Sequence, residues 1–174
     1  MKYITHIVFD IDGTLTDGNI SIHDNAIESK CFHVKDGLII RVLPQLGFTT
    51  IMITGRSSEL VNIRAKDLLV SAVYQGISDK AELLNSYIEE NELNFEQFAY
   101  IGDDLNDYSA MKMCLFKACP SDASKEIKDI CNYISPKNSS NAAVRDICEH
   151  LLCSQGKYID FLKIFGVNVN INQD

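Results

Sequence analysis

Short apolar runs recur along the chain, and each breaks off into polar or glycine-containing residues. Residues 3–9 end at Asp10-Ile11-Asp12-Gly13-Thr14, residues 49–53 at Thr54-Gly55-Arg56, and residues 98–101 at Gly102-Asp103-Asp104. Runs this short, rich in β-branched and aromatic residues, predict strands buried on both faces. Residues 72–75 read as a further strand, with weaker strand–helix pieces around 115–118 and 133–135. Helical spacing fills the intervals. One helix is predicted from Gly37 to about Gln45, capped by Asp36 and stopped at Gly47. Others cover 57–69, 79–91 and 107–113, and two more lie near the end, at about 141–153 and 157–165. Residues 19–22 and 27–34 read as extended pieces joined by His23-Asp24-Asn25-Ala26, a hairpin. Residues 168–174 are polar and expected to fray.

Strands alternating with helices predict an α/β fold, a doubly wound parallel sheet of Rossmann type covered on both faces. The expectation is one domain over 1–174, with a hairpin insert at about 19–34 and a helical tail at about 141–174. No repeat, linker or low-complexity tract interrupts it.

In such sheets, functional groups gather at the carboxyl ends of the strands. Here those ends carry Asp10 and Asp12, then Thr54, then Asp103 and Asp104 with Asp107 beyond; Lys80 opens the helix after the third strand. These types suit phosphoryl transfer. A carboxylate can attack phosphorus to give an aspartyl-phosphate that water hydrolyses. Attack by an anion on an anion needs compensation, which Mg²⁺ on hard oxygen ligands supplies: Asp10, Asp103 and the backbone carbonyl of Asp12. The Asp12 carboxyl group is then a separate acid/base, protonating the leaving alkoxide and later deprotonating water. Thr54 can donate to phosphoryl oxygens and Lys80 can neutralise them. Asp104 and Asp107 either steady the site or favour a helix N-terminus through its dipole.

Charge sharpens this picture. The net charge is −8 with no basic tract, which argues against a nucleic-acid or membrane-surface role. Yet residues 35–80 hold six basic and four acidic side chains, a local excess of +2 that includes Arg41, Arg56 and Arg64. An anionic ligand finds positive charge there. Six cysteines without a CxxC pair, and no leader-like stretch before the first strand, read as reduced thiols in a cytoplasmic protein.

The ordered set DIDGT, a Thr after an apolar strand, a lysine and GDDLND resembles the haloacid dehalogenase (HAD) superfamily. That resemblance implies Asp10 as nucleophile, Asp12 as acid/base, Mg²⁺ held by Asp10, Asp12 and Asp103, and Asp104 and Asp107 as support. "DGTLTDGNI", "FHVKDGLIIRVL", "ITGRSSELVNIRA", "YQGISDK" and "AAVRDICEHLLCSQGKY" are further similar to the 3-deoxy-D-manno-octulosonate 8-phosphate phosphatases, close relatives of sialate 9-phosphate-type phosphatases. This implies substrate contacts from His33, Val34, Lys35, Asp36, Gly37, Arg41, Gly55, Arg56 and Arg64. Arginine suits a sugar acid because its planar fork can pair with a carboxylate through two parallel bonds. The family's usual Asn and Arg are His33 and Lys35 here, and its GGxG segment is Ser139-Ser140-Asn141-Ala142.

About 40 residues lie between Asp10 and Thr54 and 25 between Thr54 and Lys80, which leaves no room for a cap domain. A capless site with only a small hairpin flap implies, by the resemblance, a homotetramer whose subunits cover one another's sites. Two other classes compete. A receiver-type phospho-acceptor domain uses similar groups, but its acceptor follows a middle strand and needs no acid two residues on. A catalytically silent phosphatase-like module would not be expected to retain all five catalytic side chains.

Overall fold

Alternation within the first strand, β1 (His6–Phe9), sets two layers. Ile7 and Phe9 turn to one side of the sheet and Val8 to the other, all fully buried. The computed structural model describes residues 4–24 and 28–167. After β1 come β2 (Ser21–Ile22), β3 (Glu28–Ser29), α1 (Val34–Val42), β4 (Thr49–Ile53), α2 (Glu59–Asp67), β5 (Ala72–Tyr74) and α3 (Lys80–Glu90). There follow β6 (Phe98–Ile101), α4 (Tyr108–Met113), β7 (Phe116–Cys119), α5 (Lys125–Ile130), β8 (Tyr133–Ile134), α6 (Ala143–Ser154) and α7 (Tyr158–Ile164).

Six strands form one parallel sheet in the order β5-β4-β1-β6-β7-β8. The chain runs outward from β1 through β4 to β5, then returns to the far side of β1 at β6. β1 therefore sits at the switch in strand order, where such sheets open a crevice at their carboxyl ends. Side chains of α1, α2, α6 and α7 pack on the Ile7/Phe9 side, and those of α3, α4 and α5 on the Val8 side. α6 shows why: Val144, Ile147, Cys148, Leu151 and Leu152 recur at helical spacing and are buried.

Local boundaries differ from expectation in three places. The short strands β2 and β3 pair antiparallel, so the hairpin forms, but its second strand stops at Ser29 and residues 34 onward are helical. The expected cap Asp36 is not the cap. α1 starts three residues earlier than expected, and His33 caps it by accepting from the Lys35 amide through Nδ1 (3.1 Å). After Val42 the helix tightens into a 3-10 turn over Leu43–Leu46, which Gly47 ends at φ 84°. The expected strand start at Tyr3, the hairpin positions 25–27 and the polar end 168–174 lie outside the described residues.

Asp36 instead ties two helices together. It is 1% exposed, and its Oδ1 accepts from the backbone N–H of Arg145 at the start of α6 (2.6 Å). Its Oδ2 is buried without a hydrogen-bond partner. Burial raises its pKa to about 6, only partly opposed by the Arg145 amide. An unfolded aspartate titrates near 3.9, so between about pH 4 and pH 6 the folded chain holds the extra proton. Stability from this group therefore falls as pH rises through that window and stays lower above it. Asp36→Asn keeps an acceptor and removes the charge. We expect it to gain about 1–3 kcal/mol at pH 7.5 and nothing at pH 4, measured by urea unfolding. A loss at pH 7.5 contradicts this.

Candidate active site

The carboxyl ends of β1 and β6 and the start of α3 converge on one buried charged cluster. Asp10 follows β1 directly, its amide donating to Ile101 O (2.9 Å), and is 3% exposed. Lys80, first residue of α3, donates from Nζ to Asp10 Oδ1 (2.5 Å) and Asp107 Oδ1 (2.7 Å). Asp79 places it: its carboxylate caps α3 on the amides of Ala81 and Glu82 (3.0 and 2.9 Å). Asp107 also accepts from Tyr100 Oη on Oδ1 (2.9 Å) and from the Asp103 amide on Oδ2 (3.2 Å). Both its oxygens are thus engaged in holding other site groups.

Asp103 is fixed by Thr14, whose hydroxyl donates to its Oδ1 (2.8 Å). Gly13 makes room for it. At φ 93° its backbone takes a conformation that side chains rarely tolerate, and a Cβ there would lie 2.2 Å from Asp103 Oδ2. Thr54, just past β4, is 2% exposed; its Oγ1 accepts from the Arg56 amide (3.3 Å). The exposed Asp104 accepts from the Leu105 amide (2.8 Å) at the loop surface.

Electrostatically the cluster is short of positive charge. Burial, then the neighbouring Asp107 carboxylate, pushes the Asp10 carboxyl well above the usual range, against the pull of Lys80. Burial raises Asp103 to about 6 even with the Thr14 bond opposing it. Desolvation alone would lower the Lys80 pKa, but Asp10 and Asp107 outweigh it and the ammonium is held above its ordinary value. One lysine is shared by two of three crowded acids. Oxygens of Asp10, Asp103 and Asp107 lie within 4.8 Å of one another, a donor set suited to a hard divalent cation. The Asp12 side chain stands outside that set, and the metal contact expected of this residue is through its backbone carbonyl. Its Oδ1 bonds instead to Lys30 Nζ.

The expected substrate residues spread over several places. Val34, Gly37, Arg41 and Arg64 line an open groove of about 400 Å³ that Phe165 also borders. There Arg64 Nη1 donates to Asp67 (2.8 Å), its guanidinium lying 5.6 Å from the Phe32 ring centre. Gly37 yields space for it, since a Cβ would come within 2.2 Å of Arg64 Nη2. Arg41 Nη1 donates to Asp67 O (2.6 Å). His33 lines a smaller hollow of about 230 Å³ with Asp17, Cys31, Phe32 and Ser140. Lys35 is exposed, Gly55 and Arg56 follow Thr54, and Arg56 Nη2 donates to Glu28 Oε1 of the hairpin (2.6 Å). Asp36 is the interior helix tie described above.

Sequence reasoning missed Glu28, Lys30, Thr14 and Tyr100. The first two carried a signal: Glu28, Lys30 and Phe32 occupy alternate positions, hence one face of an extended segment.

Residues 62–147 match the family model for haloacid dehalogenase-like hydrolases. The chain is 34% identical over 151 residues to the 3-deoxy-D-manno-octulosonate 8-phosphate phosphatase of Escherichia coli K12, covering 87% of this chain and 80% of that one. Its fold is similar to the crystal structure of the Moraxella catarrhalis phosphatase of that name in complex with magnesium ion, phosphate ion and a KDO molecule. The TM-score is 0.90, with 36% identity and 94% of each chain covered. The cobalt-bound enzyme of Haemophilus influenzae superposes with TM-score 0.87, 29% identity and 95% and 96% coverage.

Proposed function

The chain belongs to the 3-deoxy-D-manno-octulosonate 8-phosphate (KDO 8-phosphate) phosphatases of the haloacid dehalogenase-like hydrolases, and on that premise we propose how its residues work. It is a Mg²⁺-dependent phosphomonoesterase that converts KDO 8-phosphate and water to KDO and phosphate. The observation that carries this is likeness over nearly the full length of an enzyme holding magnesium, phosphate and KDO.

A carboxylate oxygen of Asp10 attacks phosphorus, and the bond from phosphorus to the sugar's C8 oxygen breaks. Asp12 gives its proton to that oxygen, so the leaving group departs as an alcohol. Water, deprotonated by Asp12, then attacks the aspartyl-phosphate, releasing phosphate and restoring the Asp10 carboxylate. Thr54, its oxygen accepting from the Arg56 amide, donates its proton to a phosphoryl oxygen. Lys80 holds Asp10 in place and offsets phosphoryl charge. Asp10 and Asp103 hold the Mg²⁺ with the Asp12 carbonyl, while Asp107 positions Lys80 and the Asp103 amide. When bound, Mg²⁺ screens the repulsion between the carboxylate and the phosphoryl oxygens.

Metal removal tests this assignment. Chelation with EDTA should lower kcat/KM by roughly 10²–10⁴-fold, reversed by added Mg²⁺. Mg²⁺ should also raise the Tm of the wild type but not of Asp103→Asn. Activity unchanged by EDTA contradicts it.

The sugar end belongs to His33, Val34, Lys35, Gly37, Gly55 and the arginines 41, 56 and 64. A second substrate reading, a nonulosonate 9-phosphate, is favoured by one observation. His33 and Ser140, two positions that depart from the family pattern, line the same hollow.

The capless site and the exposed Ile22, Val34, Leu38 and Phe165 support a homotetramer in which neighbours complete each site. Light scattering should give four times the 19.5 kDa chain mass; a fully active monomer contradicts it. Among the described residues no helix is long and apolar enough to cross a membrane. Six cysteines without a CxxC pair fit a reducing compartment, so the cytoplasm is the proposed location. Recovery of the enzyme in a periplasmic extract contradicts that placement.

A further inference from the structure

A lysine whose side chain is buried, on a hairpin of two-residue strands, is unexpected. Such a hairpin is marginal by itself, and burying an ammonium costs both solvation and side-chain freedom. Lys30 nevertheless has no exposed side-chain surface, and its Nζ bonds to Oδ1 of Asp12, whose carboxylate stays 20% exposed. Its placement is built in from both sides. Upstream, Glu28 pairs with Arg56 at the end of β4 (2.6 Å). Downstream, Phe32 pairs antiparallel with Thr16 and packs against the core. Thr16 in turn receives the amides of Gly13 and Gly18 (both 3.3 Å). Glu28, Lys30 and Phe32 thus present one inward face, while Ser29 and Cys31 face out, Ser29 bonding to His23 (3.1 Å).

We propose that Lys30 is a positioning residue for the acid/base: it grips Oδ1 of Asp12 so that the other oxygen meets the ester oxygen of the bond being broken. The hairpin then does more than flank the site. It carries the group that aims the proton donor, so protonation of the leaving group depends on the hairpin being seated. This rests on the phosphatase reading of the same site.

The test separates leaving groups. A sugar phosphate leaves as a basic alkoxide that needs Asp12's proton, whereas p-nitrophenyl phosphate leaves as a stable phenolate that does not. Lys30→Met should lower kcat/KM for KDO 8-phosphate by about 10²-fold, the scale of general-acid catalysis, and for p-nitrophenyl phosphate by no more than about threefold. Lys30→Arg, which keeps the buried charge and the donor, should recover part of the loss on the sugar ester. In an Asp12→Asn background, Lys30→Met should change neither substrate further. Equal losses on both esters, or a further loss in the Asp12→Asn background, overturn the proposal while the phosphatase reading stands. Wild type cleaving neither ester overturns both.

Discussion

Asp10→Asn should abolish phosphate release, lowering kcat by on the order of 10⁴-fold or more, while the protein stays folded with an unchanged or higher Tm. The two halves of this result have one cause. Asparagine fills the same space, but its amide neither attacks phosphorus nor forms the ester intermediate. At the same time the wild-type carboxylate is costly to keep ionised, because burial and then Asp107 hold its pKa well above the ordinary value. A raised carboxyl pKa in the folded state is a stability loss at every pH above the unfolded value. Removing that charge at pH 7 relieves the repulsion, at the expense of the 2.5 Å bond to Lys80. Catalysis and stability therefore oppose each other at this position, as is common for crowded active-site charges. Residual activity above 1% of wild type, with folding intact, contradicts the nucleophile assignment.

Lys80→Met should do the reverse to stability and the same to activity. The Lys80 side chain is 1% exposed and lies between Asp10 and Asp107, whose side chains are 4% and 0% exposed. Without it, two buried carboxylates face each other unopposed, at a cost of about 3–5 kcal/mol. For a chain of this length that lowers Tm by roughly 6–20 °C. The lysine's pKa is raised in the fold, so its contribution is complete below the unfolded value near 10.4 and is lost only in strong alkali. The deficit is accordingly full at pH 7. It should shrink on acidification, as the stranded carboxyl groups take up protons. Scanning calorimetry at pH 5 and pH 7 checks both points. A variant as stable as wild type at pH 7 means that the Lys80 bridges contribute nothing.

Much of this site is legible in the sequence because it lies where buried strands must end. A run such as Phe98–Ile101 has to be followed by chain leaving the sheet, and acids placed there cannot serve the core. The strand order is legible only as a class, since which strands flank β1 depends on crossovers that span many residues. Helix starts are less legible for a local reason: His33 performs the capping that Asp36, a stronger capping type, was expected to do. Asp36 was then free to reach across to α6, a contact 109 residues away in the chain. Glu28 and Lys30 were hidden differently. Charges on a short polar hairpin look solvated, and it takes the Glu28–Arg56 pair and the pairing of Phe32 with Thr16 to turn that face inward. Likewise Asp107 reads as a helix-start acid until Tyr100 and Lys80 are seen on the same oxygen.

Discrimination between two sugar-acid phosphates decides the substrate assignment. Phosphate release is measured from KDO 8-phosphate and a nonulosonate 9-phosphate side by side, with Mg²⁺ and with EDTA, using Asp10→Asn as blank. We expect Mg²⁺-dependent turnover with kcat/KM for the octulosonate ester at least tenfold higher, about 1.4 kcal/mol of transition-state preference. A preference for the nonulosonate ester, or no release from either above the blank, would contradict it.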